Sequence, residues 1–265
     1  MRIRRARYDL AIDPCEASQS GRFLMAVSGA TYMLGIPRQW NAESTGMVAV
    51  RPAPLHMAKG PVFLLRRALA DDDAGALDRD FPNLSLQLSQ EQRRQARELL
   101  DGLLQIDDAL STRITIGVFA DATGAKRYDE DWWERFVAEI RLLHPAWAMV
   151  EIAPPNGRSR LSSRLPVYSS VNPREVAAVI SNMACFVSAD CGVMHLASAG
   201  GAPTVGLFSV TDIAKYGPYG PQDRPVDTRG TSPEAVARLA SEVAQGMGAP
   251  GAGSSTLSMA SGART

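Results

Sequence analysis

The chain has 265 residues, 45% of them hydrophobic, enough for one large core or two modest ones, and its length favours two domains. Its 28 Lys and Arg balance 28 Asp and Glu, so the net charge is zero and the composition makes no global case for a nucleic-acid partner. No stretch approaches the roughly twenty apolar residues that span a bilayer, and Met1 to Arg5 lacks the apolar core of a signal peptide, which reads as a soluble chain with at most peripheral membrane contact.

Taken in order, the chain opens on Arg2, Arg4, Arg5 and Arg7, a basic end that suits anionic lipid or, more plainly, a solvated terminus. Tyr8 to Asp13 reads as a short buried strand stopped by Pro14. Residues 16–27 read as a helix with Phe23, Leu24 and Val27 on one face, and residues 32–36 as a second strand. Asp13, at the strand end, is either a turn former or a proton acceptor. Leu55 to Leu69 carries Val62, Leu65 and Leu69 at helical spacing, broken by Gly60 and Pro61, with His56 near its start. Asp71, Asp72 and Asp73 follow a helix rather than a buried strand and read as a solvated loop rather than a metal site.

Leu84 to Leu88 alternates as a half-buried strand would, and Ser89 with Gln92 opens a helix running to about Leu104. Residues 107–112 form the candidate linker. A continuous apolar run from Ile114 to Phe119 then has the character of a central parallel strand. The loop that follows holds Thr123, Gly124 and Lys126. Trp132, Trp133, Phe136, Val137, Ile140 and Leu143 next recur at three- and four-residue spacing, the core face of a helix. Trp147 to Ile152 is a further strand, and Asn172, Pro173 and Glu175 mark a capped helix start.

The most informative stretch runs from Cys185 to Phe208. An apolar strand ends at Asp190, a helix of small residues follows, Gly200 and Gly201 stop it, and a second apolar strand begins at Thr204. This is a βαβ unit, and in parallel sheets ligands sit at the carboxyl ends of strands, where helix N-termini present unpaired amides. Asp190 can cap the helix or accept from a ligand hydroxyl, Gly192 lets backbone approach a bulky anion, and His195 can donate one turn in. A capping aspartate followed by a core-facing histidine is the competing structural reading. Cys185 reads as a small core residue, and the scattered Cys15, Cys185 and Cys191 fit a reducing cytoplasm with no metal site. Beyond Phe208 come Thr211 and Asp212 at a short helix start, the turn from Tyr216 to Pro221, a last helix capped by Ser232, and a Gly, Ala and Ser tail expected to be disordered.

The run from Asp190 to Ala197, the Ala202 to Phe208 strand, Thr211 with Asp212 and the Tyr216 to Pro221 turn together resemble the donor-site signature of glycosyltransferase family 9, the ADP-heptose:lipopolysaccharide heptosyltransferases. The resemblance covers about Tyr8 to Gln245 and departs where Cys191 replaces a usual Thr and where Ser209 and Val210 replace a usual Gly-Pro. It implies an α/β fold of GT-B type, two Rossmann-like domains facing across a cleft, with an acceptor-side domain at 1–107, a donor domain at 108–245 and a tail at 246–265.

By the same resemblance the donor site comprises Thr123, Lys126, Asp190, Cys191, Gly192, Val193 and His195, with Lys126 against the donor diphosphate and His56 facing the acceptor. No metal or cofactor is called for. The family's opening strand and Gly-Asp loop, which carries its base, is expected before Tyr8, so the first domain reads as cut short and Asp13 becomes the substitute base. The implied function is cytoplasmic transfer of a sugar, heptose by resemblance, from an ADP-linked donor to a lipopolysaccharide-type acceptor at the inner membrane face. A donor-binding scaffold without activity is the alternative, a shortened gene model whose true start lies upstream is a third reading, and self-association through the first domain is expected.

Overall fold

The computed structural model describes residues 2–15, 18–35, 56–69, 80–105, 114–161 and 165–246. The three-aspartate run, the candidate linker and the tail beyond residue 246 lie outside them. The chain forms two compact units, Met1–Asn83 with Val210–Gly217, and Leu84–Ser209 with Pro218–Thr265. The expected boundary at residue 107 therefore differs from this grouping: the helix opened by Ser89 belongs to the second unit, and the turn from Tyr216 to Pro221 is divided between the two.

In the first unit, strands β1 (Leu10–Asp13) and β2 (Tyr32–Gly35) pair in parallel, Leu10 opposite Tyr32 and Asp13 opposite Gly35. Helix α1 (Gln19–Ser28) joins them, capped by Ser18, whose side chain accepts from the Gly21 amide, and ended by Gly29 in the left-handed region at φ 70°. The expected face is not the buried one. Phe23 and Leu24 are exposed, and α1 buries Met25 and Ser28 instead. Helix α2 (Gly60–Leu69) starts where Gly60 and Pro61 were expected to break it, because proline is well tolerated in a first helical turn. It buries Phe63 and Leu64, while Leu65 and Leu69 are exposed.

The second unit is a six-stranded, wholly parallel sheet in the order β5-β4-β3-β6-β7-β8. Its strands are β3 (Thr115–Phe119), β4 (Ala148–Ile152), β5 (Val167–Tyr168), β6 (Cys185–Ala189), β7 (Thr204–Phe208) and β8 (Arg224–Asp227). The strands alternate their side chains between two apolar layers. Ile116, Val118, Cys185, Val187, Val205 and Leu207 meet a later pair of helices through Trp133, Phe136, Ile140, Val236 and Ala240. Phe119, Val150 and Phe186 meet the opposite layer through Leu100, Val179 and Ala197.

Helix α3 (Gln90–Leu103) has the capping box read from Ser89 and Gln92, and α4 (Glu130–Leu143) buries Trp133, Phe136, Val137 and Ile140 as its spacing predicts. Helices α5 (Pro173–Ile180), α6 (Gly192–Gly200) and α7 (Pro233–Ala244) complete the layers. Leu84 to Leu88 is not a strand. Leu84, Leu86 and Leu88 are half-buried in alternation, but the segment joins no ladder, and the Leu86 amide donates to Ala199 O at 2.8 Å at the end of α6. Period-two burial came from lying extended along helices rather than from a sheet.

Asp223 ties α6, β7 and β8 together. Its buried carboxylate accepts from Ser198 Oγ at 2.5 Å, the Thr204 amide at 3.1 Å and the Gly220 amide at 2.6 Å. Burial pushes its carboxyl above the ordinary carboxylate range, against those hydrogen bonds and the charge of Arg224. The folded chain thus holds this proton more tightly than the unfolded chain, so Asp223's contribution to stability is fully present below the ordinary range and is lost as pH rises through the raised value. Denaturant unfolding over that window should show stability falling with pH in the natural chain and a flattened slope in Asp223→Asn. Asp223→Ala should cost about 1–3 kcal/mol for each donor left without an acceptor. An unchanged midpoint would remove Asp223 from this role.

Candidate functional site

The strand order fixes where a ligand can lie. Strands β3 and β6 are neighbours, yet α4 after β3 covers one face of the sheet and α6 after β6 covers the other. The two connections diverge at the carboxyl ends of these strands and leave a crevice there, the usual ligand position in doubly wound sheets. Residues 120–127 after β3 and 190–195 after β6 flank it.

On the β6 side the chain turns at Asp190 and enters α6 through Cys191, the N-cap at φ −157° and ψ 174°. The cap is not Asp190, and Cys191 makes no side-chain capping bond; its Sγ lies 3.4 Å from Ser188 Oγ. The first amides of α6 therefore lack a side-chain acceptor from the cap, and Gly192 stands exposed with nothing within 4 Å of where a Cβ would be. Val193 packs half-buried against the core, and Met194 is fully buried. His195, next to Met194, is half-buried.

Across the crevice, the loop after β3 makes a 3-10 turn at Gly124–Lys126, preceded by exposed Thr123, which gives it no side-chain cap. Lys126 Nζ reaches Asp190 Oδ2 at 3.1 Å, with the lysine side chain 31% exposed and the carboxylate 8%. Asp190 thus holds a cation rather than capping a helix. Lys126, Asp190, Cys191 and Gly192 come together, with His195 one turn along α6.

Sequence reasoning missed Tyr128 and Thr228 here. Tyr128 OH lies 2.5 Å from Thr228 Oγ1, and Thr228 in turn donates to Phe208 O at 3.1 Å, so the phenol is the donor. Burial first, then the carboxylates of Asp227 and Asp190, push the Tyr128 phenol up against its bonds with Thr228 and Ser209, which keeps it protonated at neutral pH. The chain Tyr128, Thr228, Phe208 fixes the β3 loop to the ends of β7 and β8. Strand β8 carries no recognisable pattern of its own, since Pro225 sits within it on the sheet edge.

In the first unit, Asp13 ends β1 and is 8% exposed. Its Oδ1 accepts from the Cys15 amide at 3.0 Å, while the buried Oδ2 accepts no hydrogen bond among the described residues. The carboxylate lies against Gly21 in the first turn of α1, where a Cβ would come within 2.5 Å of Oδ2. His56 is half-buried. Its Nε2 donates to Gly217 O at 2.6 Å and its Nδ1 accepts from the Ala58 amide at 3.3 Å, which fixes the neutral Nε2–H tautomer. Among the described residues, no group of three or more His, Cys, Asp or Glu side chains is placed to hold a metal ion, and no helix is long and apolar enough to cross a membrane.

Comparison with solved structures finds the same fold. A family 9 glycosyltransferase from Veillonella parvula aligns at 17% identity and a TM-score of 0.67, covering 90% of this chain and 74% of its own. ADP-heptose LPS heptosyltransferase II of E. coli aligns at 16% identity and a TM-score of 0.64, covering 93% and 79%. E. coli heptosyltransferase WaaC with ADP aligns at 16% and 0.57, covering 89% and 73%. No curated protein matches the chain. The family model of glycosyltransferase family 9 (heptosyltransferase) matches residues 1–242, nearly the whole described length, and the chain is a transferase that belongs to that family.

Proposed function

We propose that this chain transfers heptose from an ADP-linked donor to a saccharide acceptor of the lipopolysaccharide type, without a metal ion. The observation that carries the donor half is the convergence of the open amide end of α6 with Lys126 at the β3–β6 crevice, marked by the 3.1 Å contact of Lys126 with Asp190. Departure of a nucleoside diphosphate leaves negative charge where the sugar bond breaks. Backbone N–H groups, the positive end of the helix dipole and an ammonium aimed at that charge stabilise it without reorganising. The structures of E. coli heptosyltransferase WaaC with ADP and with ADP-2-deoxy-2-fluoro heptose support the nucleotide's identity.

The second task is to take the proton from the acceptor hydroxyl. Asp13 is the residue proposed for it, because it ends a parallel strand with one carboxylate oxygen uncommitted among the described residues. Exposed Arg4, Arg5 and Arg7 support work beside an anionic membrane face in the cytoplasm.

Calorimetry with ADP on the intact chain tests the donor site. Lys126→Ala should weaken binding by roughly 1.5–3 kcal/mol, the worth of a charge-assisted contact. Gly192→Ala should leave stability within about 0.5 kcal/mol, as its Cβ enters open space, yet reduce ADP affinity by filling the approach to the amides. Binding should persist in EDTA. Equal affinity in all variants would remove the crevice from consideration.

A transfer assay with ADP-heptose and a lipopolysaccharide-core acceptor tests the base. Asp13→Asn should lower kcat by about 10²–10⁴ while leaving ADP affinity unchanged. Donor binding by the natural chain with no turnover would favour a binding role instead, and full turnover by Asp13→Asn would place the base elsewhere.

A further inference from the structure

The crevice does not end at Lys126. The next residue, Arg127, turns back onto its own loop. Its Nη2 lies 3.2 Å from Asp121 Oδ1 and its Nε donates to Ala122 O at 3.1 Å. From the loop after β4, Arg160 Nη2 reaches the same Asp121 oxygen at 3.4 Å. Two guanidinium groups, each nearly half exposed, therefore share one carboxylate and leave a net positive charge beside the donor crevice.

Arg160 is placed there by a buried anchor. Glu151 in β4 is 1% exposed, and its carboxylate accepts from Ser159 Oγ at 2.5 Å and from the Arg160 amide at 2.8 Å. Leu161, next in the chain, is buried in the core. The backbone of Arg160 is thus held from both sides while its side chain remains at the surface. Burying a carboxylate solely to fix a loop is costly, so the loop's position matters to the fold or to what the loop presents.

Position decides what that is. The amide end of α6 follows β6, Lys126, Arg127 and Asp121 share the loop after β3, and Arg160 comes from the loop after β4, so these groups lie at the carboxyl ends of three adjacent strands. In doubly wound nucleotide-binding sheets an acidic residue after the second strand takes a ribose hydroxyl, whereas an arginine near that position accommodates a ribose 2′-phosphate, so a guanidinium there can serve a phosphate of a bound nucleotide. Here Glu151 has both oxygens turned inward onto its own loop, and the group left facing outward is Arg160. A guanidinium only donates, in a fork that matches phosphate oxygens.

Resting on the nucleotide-donor reading, we propose that Arg127 and Arg160 bind a phosphate group of the donor nucleotide, as a second anion contact beside Lys126. Asp121 holds the two side chains in register until that phosphate arrives.

The test is calorimetry on the intact chain and on Arg160→Gln and Arg127→Gln, with adenosine, AMP, ADP and adenosine 2′,5′-bisphosphate as probes and thermal melts as a check on folding. Arg160→Gln should weaken ADP about tenfold and leave adenosine unchanged. A loss confined to ADP assigns the group to the terminal phosphate of the diphosphate. A loss confined to the bisphosphate overturns the proposal, because an ADP-linked donor carries no ribose phosphate, and equal losses for all three assign the group to the shared 5′-phosphate. Affinities within twofold of the natural chain for every probe in both variants overturn the proposal, as does an equal loss for adenosine. If the natural chain binds none of the probes, the nucleotide reading itself fails and takes this one with it.

Discussion

Helix α6 presents its amides at the sheet edge because Gly206 leaves room for Met194. A Cβ on Gly206 would stand 2.6 Å from Met194 Sδ, 3.0 Å from Pro218 and 3.1 Å from Phe208. Met194 is fully buried, so it has no alternative position on the surface. At the far end Gly200 lies against the backbone of Ala177, and Arg93 donates to Gly200 O at 3.1 Å, closing the C-terminus of α6. The helix is pinned at its middle and its end. Its N-terminus is the part left open, with Cys191 as a cap that gives no side-chain bond, which is the arrangement a ligand anion needs.

The charges around that open end are arranged on one plan. Lys126 rests on Asp190, and Arg127 and Arg160 rest on Asp121. Each cation is partly exposed and each carboxylate is more buried than its partner, so the acid is fixed by the fold and the base keeps freedom to reach outward. Such pairs add little to stability at a surface. In the proposed donor site they would hold long, flexible side chains where an incoming phosphate meets them, which reduces the ordering cost of binding.

The parallel strands, the capped helices and the donor turn were legible because each is written in local pattern. Ser89 with Gln92, Asn172 with Pro173, and the run from Cys185 to Phe208 are short-range signals that burial then confirms. What failed was pattern without a partner. Leu84 to Leu88 alternates for a neighbouring helix rather than a strand, and Phe23 and Leu24 carry apolar spacing on a face of α1 that is exposed. Tyr128, Asp121 and Arg160 were invisible for a different reason: their partners lie up to a hundred residues away in sequence, so no local spacing records the contact. His56, which the family resemblance turns toward the acceptor, has its ring bonded to Gly217 O, 161 residues away in the chain.

Buried carboxylates separate structural from chemical roles more sharply than their sequence positions do. Glu151 and Asp223 are both buried, and each has both oxygens engaged: Glu151 by Ser159 and the Arg160 amide, Asp223 by Ser198, Thr204 and Gly220. Donors gathered around an anion offset the loss of water, and such groups act as clamps between elements. Asp13 is buried to the same degree as Asp223, yet only Oδ1 is engaged, by the Cys15 amide two residues on. An oxygen left without a donor forfeits the bond that folding could have supplied, a loss of about 1–3 kcal/mol. A structural clamp has no reason to carry that loss, because a single nearby hydroxyl would remove it. The proposal of Asp13 as proton acceptor rests on that oxygen, uncommitted among the described residues, since an oxygen already saturated by donors is a poorer base. Gly21 in the first turn of α1 packs directly on this carboxylate: a Cβ there would come within 2.5 Å of Oδ2, so only glycine lets the helix approach so closely.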